Sequence, residues 1–224
     1  MAEQQVAAPS PRTKIRRHPE RGTYDGDMVR SILDEGLICH LGFVVDGTPF
    51  VMPTMYARSG DVVYVHGSPA SRMLRAASGG ADVCLTVTLL DGLVLARAVF
   101  SHSMNYRSVV VLGRAEEVLE PGEKMLASEA LVEHVCRGRW ADARHPNARE
   151  LATTTILRLS LDEASAKVRT GGPKDAEADL ELPVWAGHLP LAVRALPPIP
   201  DECLAEAEVP PAYATGYTRP GWTR

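Results

Sequence analysis

Short apolar runs separated by tight-turn dipeptides dominate residues 37–100. An Asp-Gly or Ser-Gly pair between two apolar runs is typical of a β-hairpin, because such residues tolerate the backbone angles of a short turn. Three such pairs occur, and the pattern therefore predicts three hairpins. Their turns are expected at Asp46-Gly47, Ser59-Gly60 and Asp91-Gly92, within residues 37–57, 55–66 and 82–100.

Two longer apolar runs predict further strands. One is YRSVVVLGRAEEVL, residues 106–119, in which Gly113 suits a bend or a bulge. The other is ATTTILRLSLDEASAKVRTG, residues 152–171, which we interpret as one last long strand. Pro53 lies inside the run FVMPTMYA and has no N–H to donate, so that run is not expected in the centre of a sheet. Its free backbone groups would be open to a ligand.

Helical periodicity occurs in three places. Residues 25–36 predict a helix capped by Asp25 or Asp27, and residues 68–78 predict a second helix. A third helix is expected over residues 123–136, after Pro121-Gly122. Its apolar face would comprise Met125, Leu126, Ala130, Leu131, Val132 and Val135.

The order of these elements predicts a mainly β protein. Six or so consecutive strands in hairpin order give an antiparallel sheet, and six strands are enough to curl into a small barrel with flanking helices. A doubly wound parallel sheet would need helices between successive strands, and residues 38–66 contain none of the patterns that predict helices. Three regions are expected: a basic N-terminal arm (1–24), a barrel domain (25–172) and a proline-rich C-terminal extension (173–224) that packs on the barrel.

Composition narrows the class of protein. Of 224 residues, 45% are hydrophobic, so the chain can bury a core, and the net charge of −4 argues against a nucleic-acid partner. No apolar run reaches the roughly 20 residues that span a bilayer, and no apolar stretch follows the basic N-terminus as in a secretory signal. We therefore expect a cytoplasmic protein without a membrane partner. Its four cysteines form no CxxC pair, which argues against a zinc site or a disulfide framework.

The stretch DVVYVHGSPASRML surrounds a corner with hydrogen-bond donors. Ser68 is a good N-cap and Pro69 suits the first helical position, so the corner is expected to open a helix whose free amides attract phosphate. Ser71 and the forked guanidinium of Arg72 would join them, with His66 at the rim. A well-capped helix with surface side chains remains the alternative.

A second polar stretch, FSHSMNYRSV, precedes a strongly apolar run. Its donors are too polar for the middle of a sheet and would suit the edge of a flat, polar-rimmed ring; a polar crossover loop is the alternative. His40, His102, His134 and His145 share no metal-ligand spacing, and no Ser-His-Asp set or acid–base pair can be assembled. An enzyme without such groups would take its chemistry from a cofactor.

Several long motifs resemble the flavin-nucleotide-binding, nitroimidazole-resistance-related branch of the pyridoxamine 5′-phosphate oxidase-like split-barrel family. They include LICHLGFVVDGTPFVMPTMYA, VVYVHGSPASRML and LVLARAVFSHSMNYRSVVVLGRAEEV. The resemblance runs from about Arg12 to about Leu191. It implies a six-stranded antiparallel split barrel that forms a homodimer, with FMN bound at the subunit interface. No metal site is expected, because the cysteine and histidine spacings offer none.

The resemblance also implies which residues hold the cofactor. Ser71 and Arg72 match the family's phosphate ligands, while Lys167 and Arg169 fall near the end of the last strand, where the pocket is closed. An arginine that helps to bind phosphate in the vitamin-synthesising oxidases is replaced by Met52, so vitamin B6 synthesis is not expected. The other implied cofactor-binding residues are Pro53, Thr54, Met55, His66, Gly67, Ser68, Asn105, Tyr106, Arg107 and Ser108.

The leading hypothesis is an FMN-dependent oxidoreductase that moves electrons from a nicotinamide donor to a small organic acceptor. In it, Arg107 stabilises an anionic reduced ring and His66 relays a proton. Three alternatives stay open: a flavin carrier or sensor without turnover, a deazaflavin user, and a heme protein with His66 or His102 as axial ligand.

Overall fold

The computed structural model describes residues 7–204 and 209–222, so residues 1–6 of the predicted N-terminal arm and residues 205–208 and 223–224 of the predicted extension lie outside the described residues. The strands are β1 Gly22–Thr23, β2 Ile38–Val45, β3 Thr48–Ser59, β4 Val62–Gly67, β5 Asp82–Leu95, β6 Ser103–Arg114, β7 Glu116–Glu117, β8 Thr155–Ser160, β9 Ala164–Arg169 and β10 Gly187–Pro190. The helices are α1 Gly26–Glu35, α2 Arg72–Ser78, α3 Pro121–Val135, α4 Arg139–Asp142, α5 Ala148–Ala152 and α6 Ala212–Thr215.

All strand pairs are antiparallel and belong to one curled sheet. The strand order is β1-β9-β6-β5-β2-β3-β4-β8-β7, with β10 added to β5. The order begins at β1 and ends at β7 without a pairing that closes it, which matches a split barrel rather than a closed one. The predicted mainly β split-barrel fold is confirmed, although ten strands rather than six are present in the described residues.

The first two predicted hairpins are confirmed. Asp46 and Gly47 adopt positive φ angles of 49° and 75°, as a two-residue turn between β2 and β3 requires. In the second hairpin, Ser59 pairs with Val62, so Gly60 and Asp61 form the turn. Gly60 has φ 58°, a conformation that favours glycine.

The predicted hairpin at Asp91-Gly92 is wrong. Strand β5 runs straight through these residues, and its register with β6 shifts between Leu90 and Gly92, which marks a β-bulge. Strand β10 pairs alongside this stretch, and Leu191 N–H donates to the Asp91 carbonyl at 3.0 Å. A Cβ on Gly92 would lie 2.8 Å from the Leu189 carbonyl oxygen, so the glycine serves a close strand approach and not a turn.

The single last strand predicted over residues 152–171 is also wrong, because the chain divides there into β8 and β9. Ala164 N–H donates to the Leu161 carbonyl at 3.1 Å and forms a turn between them. Strand β8 then pairs with β4 and β7, whereas β9 pairs with β6 and β1. The two strands therefore occupy distant positions in the sheet order.

The helices follow the predicted pattern with two corrections. Helix α1 is capped by the Asp25 carboxylate, as expected. Helix α2 begins at Arg72 and its N-cap is Ser71, not the predicted Ser68. The Ser68 carbonyl accepts a hydrogen bond from Ser71 N–H at 2.9 Å, which forms a separate turn before the helix. Helix α3 begins at Pro121, but of its residues only Ala127 and Leu131 are buried, so the predicted broad apolar face is only partly used.

The core lies inside the curled sheet under α1. Ile32 and Leu33 of α1 pack on inward-facing residues of the strands, among them Leu41, Leu85 and Val109. A smaller cluster lies on the other side of β4, where Tyr64 and Ile156 pack under α3. No helix in the described residues combines the length and the apolar character needed to cross a bilayer.

The C-terminal residues 209–222 pack against the ends of α1 and α3. Arg219 is only 9% exposed, and its guanidinium donates to the carbonyls of Asp34, Glu35, Gly36 and His134. These carbonyls belong to the last turns of two helices, where a cation also interacts favourably with the helix dipoles. His134 Nε2 lies 2.8 Å from the Gly36 carbonyl, to which the neutral ring donates. Burial, and then the nearby Arg219 charge, lower the pKa of His134 to about 4.

This environment predicts a pH-dependent stability. The unfolded chain protonates His134 near pH 6.5 and the folded chain only near pH 4, so its contribution is present above pH 6.5 and is lost as the pH falls towards 4. We expect the free energy of unfolding to decrease by up to about 3 kcal/mol across that window from this residue. Urea titrations of the wild type and His134→Gln, which keeps an N–H donor but does not titrate, would measure it. Equal pH slopes for the two proteins would contradict the prediction.

Candidate functional site

The predicted phosphate corner lies where β4 leaves the sheet. Gly67 lets α2 approach closely, since a Cβ there would be 3.1 Å from Cδ1 of Leu74. The Arg72 guanidinium is exposed and stands 4.8 Å from the centre of the Phe50 ring, which in turn stacks on the buried Phe43. The Ser71 hydroxyl makes no capping hydrogen bond. The corner therefore presents an uncommitted hydroxyl and a guanidinium beside β3.

The neighbouring part of β3 has a free edge in the described structure. Residues Thr48–Met55 pair with β2, while β4 pairs only with Tyr56–Ser59. Pro53 stands in this one-sided stretch opposite His40, which confirms that it is not in a central position. Along Pro53, Thr54 and Met55, β3 is therefore paired on one side only, and its other edge is free in the described residues.

His66 is the second-last residue of β4 and pairs with Ile156 of β8. Its Nδ1 atom is buried and has no hydrogen-bond partner among the described residues. Burial lowers the pKa of the imidazole, so the ring is neutral at pH 7. A neutral imidazole with no internal partner suits proton transfer or metal ligation better than a fixed structural role.

The polar stretch Asn105–Ser108 lies within β6, which pairs with β5 on one side and β9 on the other. The expectation that it is too polar for the middle of a sheet is therefore wrong. Asn105 is buried and bonds to Arg169 and to the Gly171 carbonyl, whereas Ser108 contacts the backbone of Lys167. Partners inside the fold make this polarity tolerable.

Arg107 is held by two carboxylates, and we call this group the Arg107 triad (Arg107, Glu35 and Asp91). The guanidinium donates to Glu35 at 2.5 and 2.8 Å and to Asp91 at 2.7 and 3.0 Å. Both pairs are bidentate, the strongest geometry for such a contact. The two acceptors raise the pKa of Arg107 well above its ordinary value. Because the Arg107 guanidinium already donates to two carboxylates, its charge is paired within the chain and is not available to a ligand in this arrangement.

Glu35 and Asp91 were not found by sequence reasoning. Glu35 ends a predicted helix, and the glycine after Asp91 predicts a turn at Asp91 rather than a site residue. No spacing in the chain connects either residue with Arg107. The bulge in β5 is what aims the Asp91 carboxylate at β6, and a bulge has no dependable sequence signal.

Residue register divides the candidate residues between the two faces of the sheet. Cys39, Leu41 and Phe43 face the core, so the alternate residues of β2 and their partners on β3, β5 and β6 face outward. We call this outward side the outer face. It carries the candidate site residues Pro53, Met55, Tyr106 and Ser108 and the exposed apolar residues Ile38, Val44, Val51, Leu90 and Met104.

Within one chain the candidates form two groups rather than one cluster. Pro53 lies in register with His40, then Thr86, then Val110, so β2 and β5 separate the β3 group from β6. At a strand spacing of about 4.8 Å, the two groups are roughly 14 Å apart along the outer face. The structure therefore brings Ser71 and Arg72 close to β3 but leaves Asn105–Ser108 at a distance that a large planar ligand or a second copy would have to bridge.

Comparison with known proteins places this geometry in a wider group. A family model described as pyridoxamine 5′-phosphate oxidase matches residues 25–168. No curated protein sequence matches the chain at a significant level. A solved candidate 5-nitroimidazole resistance protein from Bacteroides thetaiotaomicron is 22% identical, with a TM-score of 0.56 over 66% of this chain and 86% of its own, and shares the fold.

Two more similar solved structures extend over almost the whole chain. The flavocytochrome Anf3 from Azotobacter vinelandii is 40% identical, with a TM-score of 0.90 over 95% of this chain and 99% of its own. A FAD and heme binding protein from Mycobacterium smegmatis is 32% identical, with a TM-score of 0.85 over 89% of this chain and 98% of its own. The likeness thus reaches well past residue 168, into the C-terminal extension.

The Arg107 triad predicts a large stability effect. Arg107→Met leaves the carboxylates of Glu35 at the end of α1 and of Asp91 in β5 without this partner, and Glu35 is buried, so we expect the free energy of unfolding to fall by about 2–4 kcal/mol. Arg144→Met is the control, because its pair with Glu150 is exposed and is worth at most about 1 kcal/mol. Chemical denaturation measures both. Similar losses in the two variants would show that the triad is not a stabilising centre.

Proposed function

This chain belongs to the pyridoxamine 5′-phosphate oxidase family, and on that premise we propose that it is a redox protein that binds a flavin nucleotide and a heme. The observation that carries the proposal is the near full-length likeness to a flavocytochrome, at 40% identity over 95% of the chain. The second similar structure, named for FAD and heme, supports FAD in place of the FMN expected from the sequence.

The residues of the corner fit the phosphate end of a flavin nucleotide. The Ser71 hydroxyl has no capping role, and the Arg72 guanidinium lies over the Phe50 ring with no carboxylate partner among the described residues, so both can donate to a phosphate. The flavin ring would lie along the outer face, between the free edge of β3 and the side chains of Tyr106 and Ser108. Bound there, the flavin supplies hydride and single-electron chemistry.

The chain's own residues would then bind and shield the reaction. Arg72 and Ser71 anchor the nucleotide, and the β3 backbone from Pro53 to Met55 orients the ring edge. His66 is neutral, and its Nδ1 has no hydrogen-bond partner among the described residues, so it would hold or pass a proton at the corner. Arg107 acts indirectly in this proposal: it keeps β6 in place through the Arg107 triad rather than contacting the ring with a free charge.

We further propose that two copies pair through the outer face as a homodimer. Five large apolar side chains are exposed there, which exceeds what isolated surface residues normally present. The distance between the β3 group and β6 within one chain also favours a site completed by a second copy. A flavin between the copies would meet the corner of one subunit and the β6 residues of the other.

Heme binding rests on the loop between β5 and β6. Val99 and Phe100 are 89% and 99% exposed, and the loop is tied down by the ion pair of Arg97 with Asp175. In the same loop His102 has Nδ1 3.1 Å from the Ala98 carbonyl and its side chain is exposed. A histidine that donates one ring N–H to a carbonyl and leaves Nε2 free is the usual arrangement of a metal ligand. We therefore propose that His102, rather than His66, would bind the heme iron.

The function that follows is that of an oxidoreductase in which Ser71 and Arg72 would hold the flavin and His102 the heme. The two groups would supply the electron-transfer chemistry between a nicotinamide donor, or a similar reductant, and a small acceptor. A flavin carrier without turnover is the second candidate. Reduction of the purified yellow protein by a nicotinamide donor, followed by reoxidation faster than in a flavin-only control, would support turnover. Failure of every donor to reduce it would favour the carrier.

The flavin assignment predicts a loss of affinity in Arg72→Ala. Removing one charged donor from a phosphate should cost about 1.5–3 kcal/mol, on the order of ten- to a hundredfold in Kd. Arg75→Ala is the matched control, since Arg75 lies one turn further along α2. Fluorescence titration with FAD, FMN and riboflavin measures the effect and identifies the flavin. Riboflavin should bind both variants alike; equal FAD and FMN affinities in both would refute the phosphate role.

The heme assignment predicts that His102→Ala loses the intense near-ultraviolet heme band while keeping flavin. His66→Ala and His188→Ala should retain that band. Reconstitution with hemin, followed by absorption spectra and a heme assay, measures all three. If His102→Ala binds heme like the wild type, the ligand is wrong. If the wild type takes up no heme, the heme part of the proposal is wrong and the flavin part stands by itself.

A further inference from the structure

Residues 191–204 follow β10 and form a segment that we call the C-terminal arm. All of residues 191–200 are exposed, and no hydrogen bond joins residues 192–200 to the rest of the described residues. The arm contains no helix or strand. Both of its flanks are nevertheless fastened to the chain's own barrel, by β10 on β5 before it and by Arg219 at the ends of α1 and α3 after it.

The arm is apolar despite this exposure. Ile199 is 93% exposed, and Leu191, Val193, Leu196 and Leu204 are exposed as well. Pro197, Pro198 and Pro200 keep the backbone extended without internal hydrogen bonds. A stretch that presents large apolar side chains along an extended backbone is costly in water unless another surface covers it.

The arm is continuous with the exposed apolar part of the outer face. Leu189 of β10 pairs with Leu93 and is exposed, and Met104 lies opposite Leu93 on β6. From Leu189 the chain leads directly into the arm. The exposed apolar residues of the barrel are therefore followed along the chain by the exposed apolar residues of the arm.

We propose that the C-terminal arm of one copy lies across the outer face of a second copy, so that two arms are exchanged in a two-fold dimer. The inference rests on the homodimer of the proposed function and adds the element that embraces the partner. In a two-fold dimer each contact between the copies occurs twice. The apolar arm of each copy therefore covers the apolar outer face of the other copy.

The arm's chemistry favours a second copy over a lipid surface. Its charged residues are Arg194, Asp201 and Glu202, so it lacks the basic cluster that binds anionic lipid. Its prolines prevent the amphipathic helix that lies in a membrane interface. An extended, proline-rich arm can instead lie along the strands of a second copy. Its prolines lack the N–H groups that would pair it as a further strand.

Photocrosslinking tests the location directly. A photoreactive benzophenone side chain placed at Ile199 should give a covalent dimer, twice the chain mass of 24.2 kDa, on a denaturing gel. Peptide mapping should place the link in residues 38–51 of the other copy. The control position is Leu126 on α3, exposed and apolar but off the outer face, which should give no dimer. Links from position 199 only within its own chain would overturn the proposal.

Charge substitution tests the energetic role. Leu196→Asp with Ile199→Asp should raise the dimer dissociation constant at least tenfold in sedimentation analysis, whereas Ala192→Asp with Ala195→Asp adds the same charge to small side chains and should change it little. Thermal unfolding checks that both variants fold. If the wild type is dimeric and the variant with Leu196→Asp and Ile199→Asp has the same dimer dissociation constant, the proposed role of the arm is overturned and the dimer stands. A wild type that stays monomeric overturns the dimer of the proposed function as well.

Discussion

An arginine shared by two carboxylates joins the parts of this structure that matter for its site. Through the Arg107 triad, the end of α1, the bulge of β5 and the middle of β6 are tied to one guanidinium. Because the charge is neutralised from both sides, a strand as polar as Asn105–Ser108 can run between two neighbours in a sheet. The bulge that delivers Asp91 also offers the edge on which β10 pairs.

The C-terminal extension depends on the same region. Gly221 lies directly against the Glu35 carboxyl group, so that a Cβ there would be 2.5 Å from its oxygens, and Arg219 holds the carbonyls at the end of α1. Two attachments of the extension, at β10 and at Arg219, therefore each lie beside one carboxylate of the triad. The exposed C-terminal arm begins directly after the first of these attachments, and no hydrogen bond joins its residues 192–200 to the rest of the described residues.

The outer face carries the observations behind the proposed homodimer. The core side of the sheet is filled by α1 and by the apolar side chains around Ile32, while the opposite side carries Pro53, Met55, Tyr106 and Ser108 together with exposed apolar residues. Polar and apolar groups arranged in this way suit a flat, amphipathic cofactor held between two proteins. The exposed loop with Phe100 and His102, and the arm, extend this surface beyond the barrel.

Local sequence determined the features that depend on a few adjacent residues. Asp46-Gly47 specifies a turn because these residues accept positive φ, Asp25 specifies a helix start because its carboxylate reaches free amides, and Pro53 excludes a central position because it has no N–H. Tertiary structure alone decided the rest. Asp91-Gly92 forms a bulge because Arg107 and β10 contact it from elsewhere in the chain. Residues 152–171 form two strands because β8 pairs with β4 and β9 pairs with β6. Ser71, and not Ser68, is the N-cap of α2. These features depend on which long-range contacts form, and the residues adjacent in the sequence do not determine those contacts.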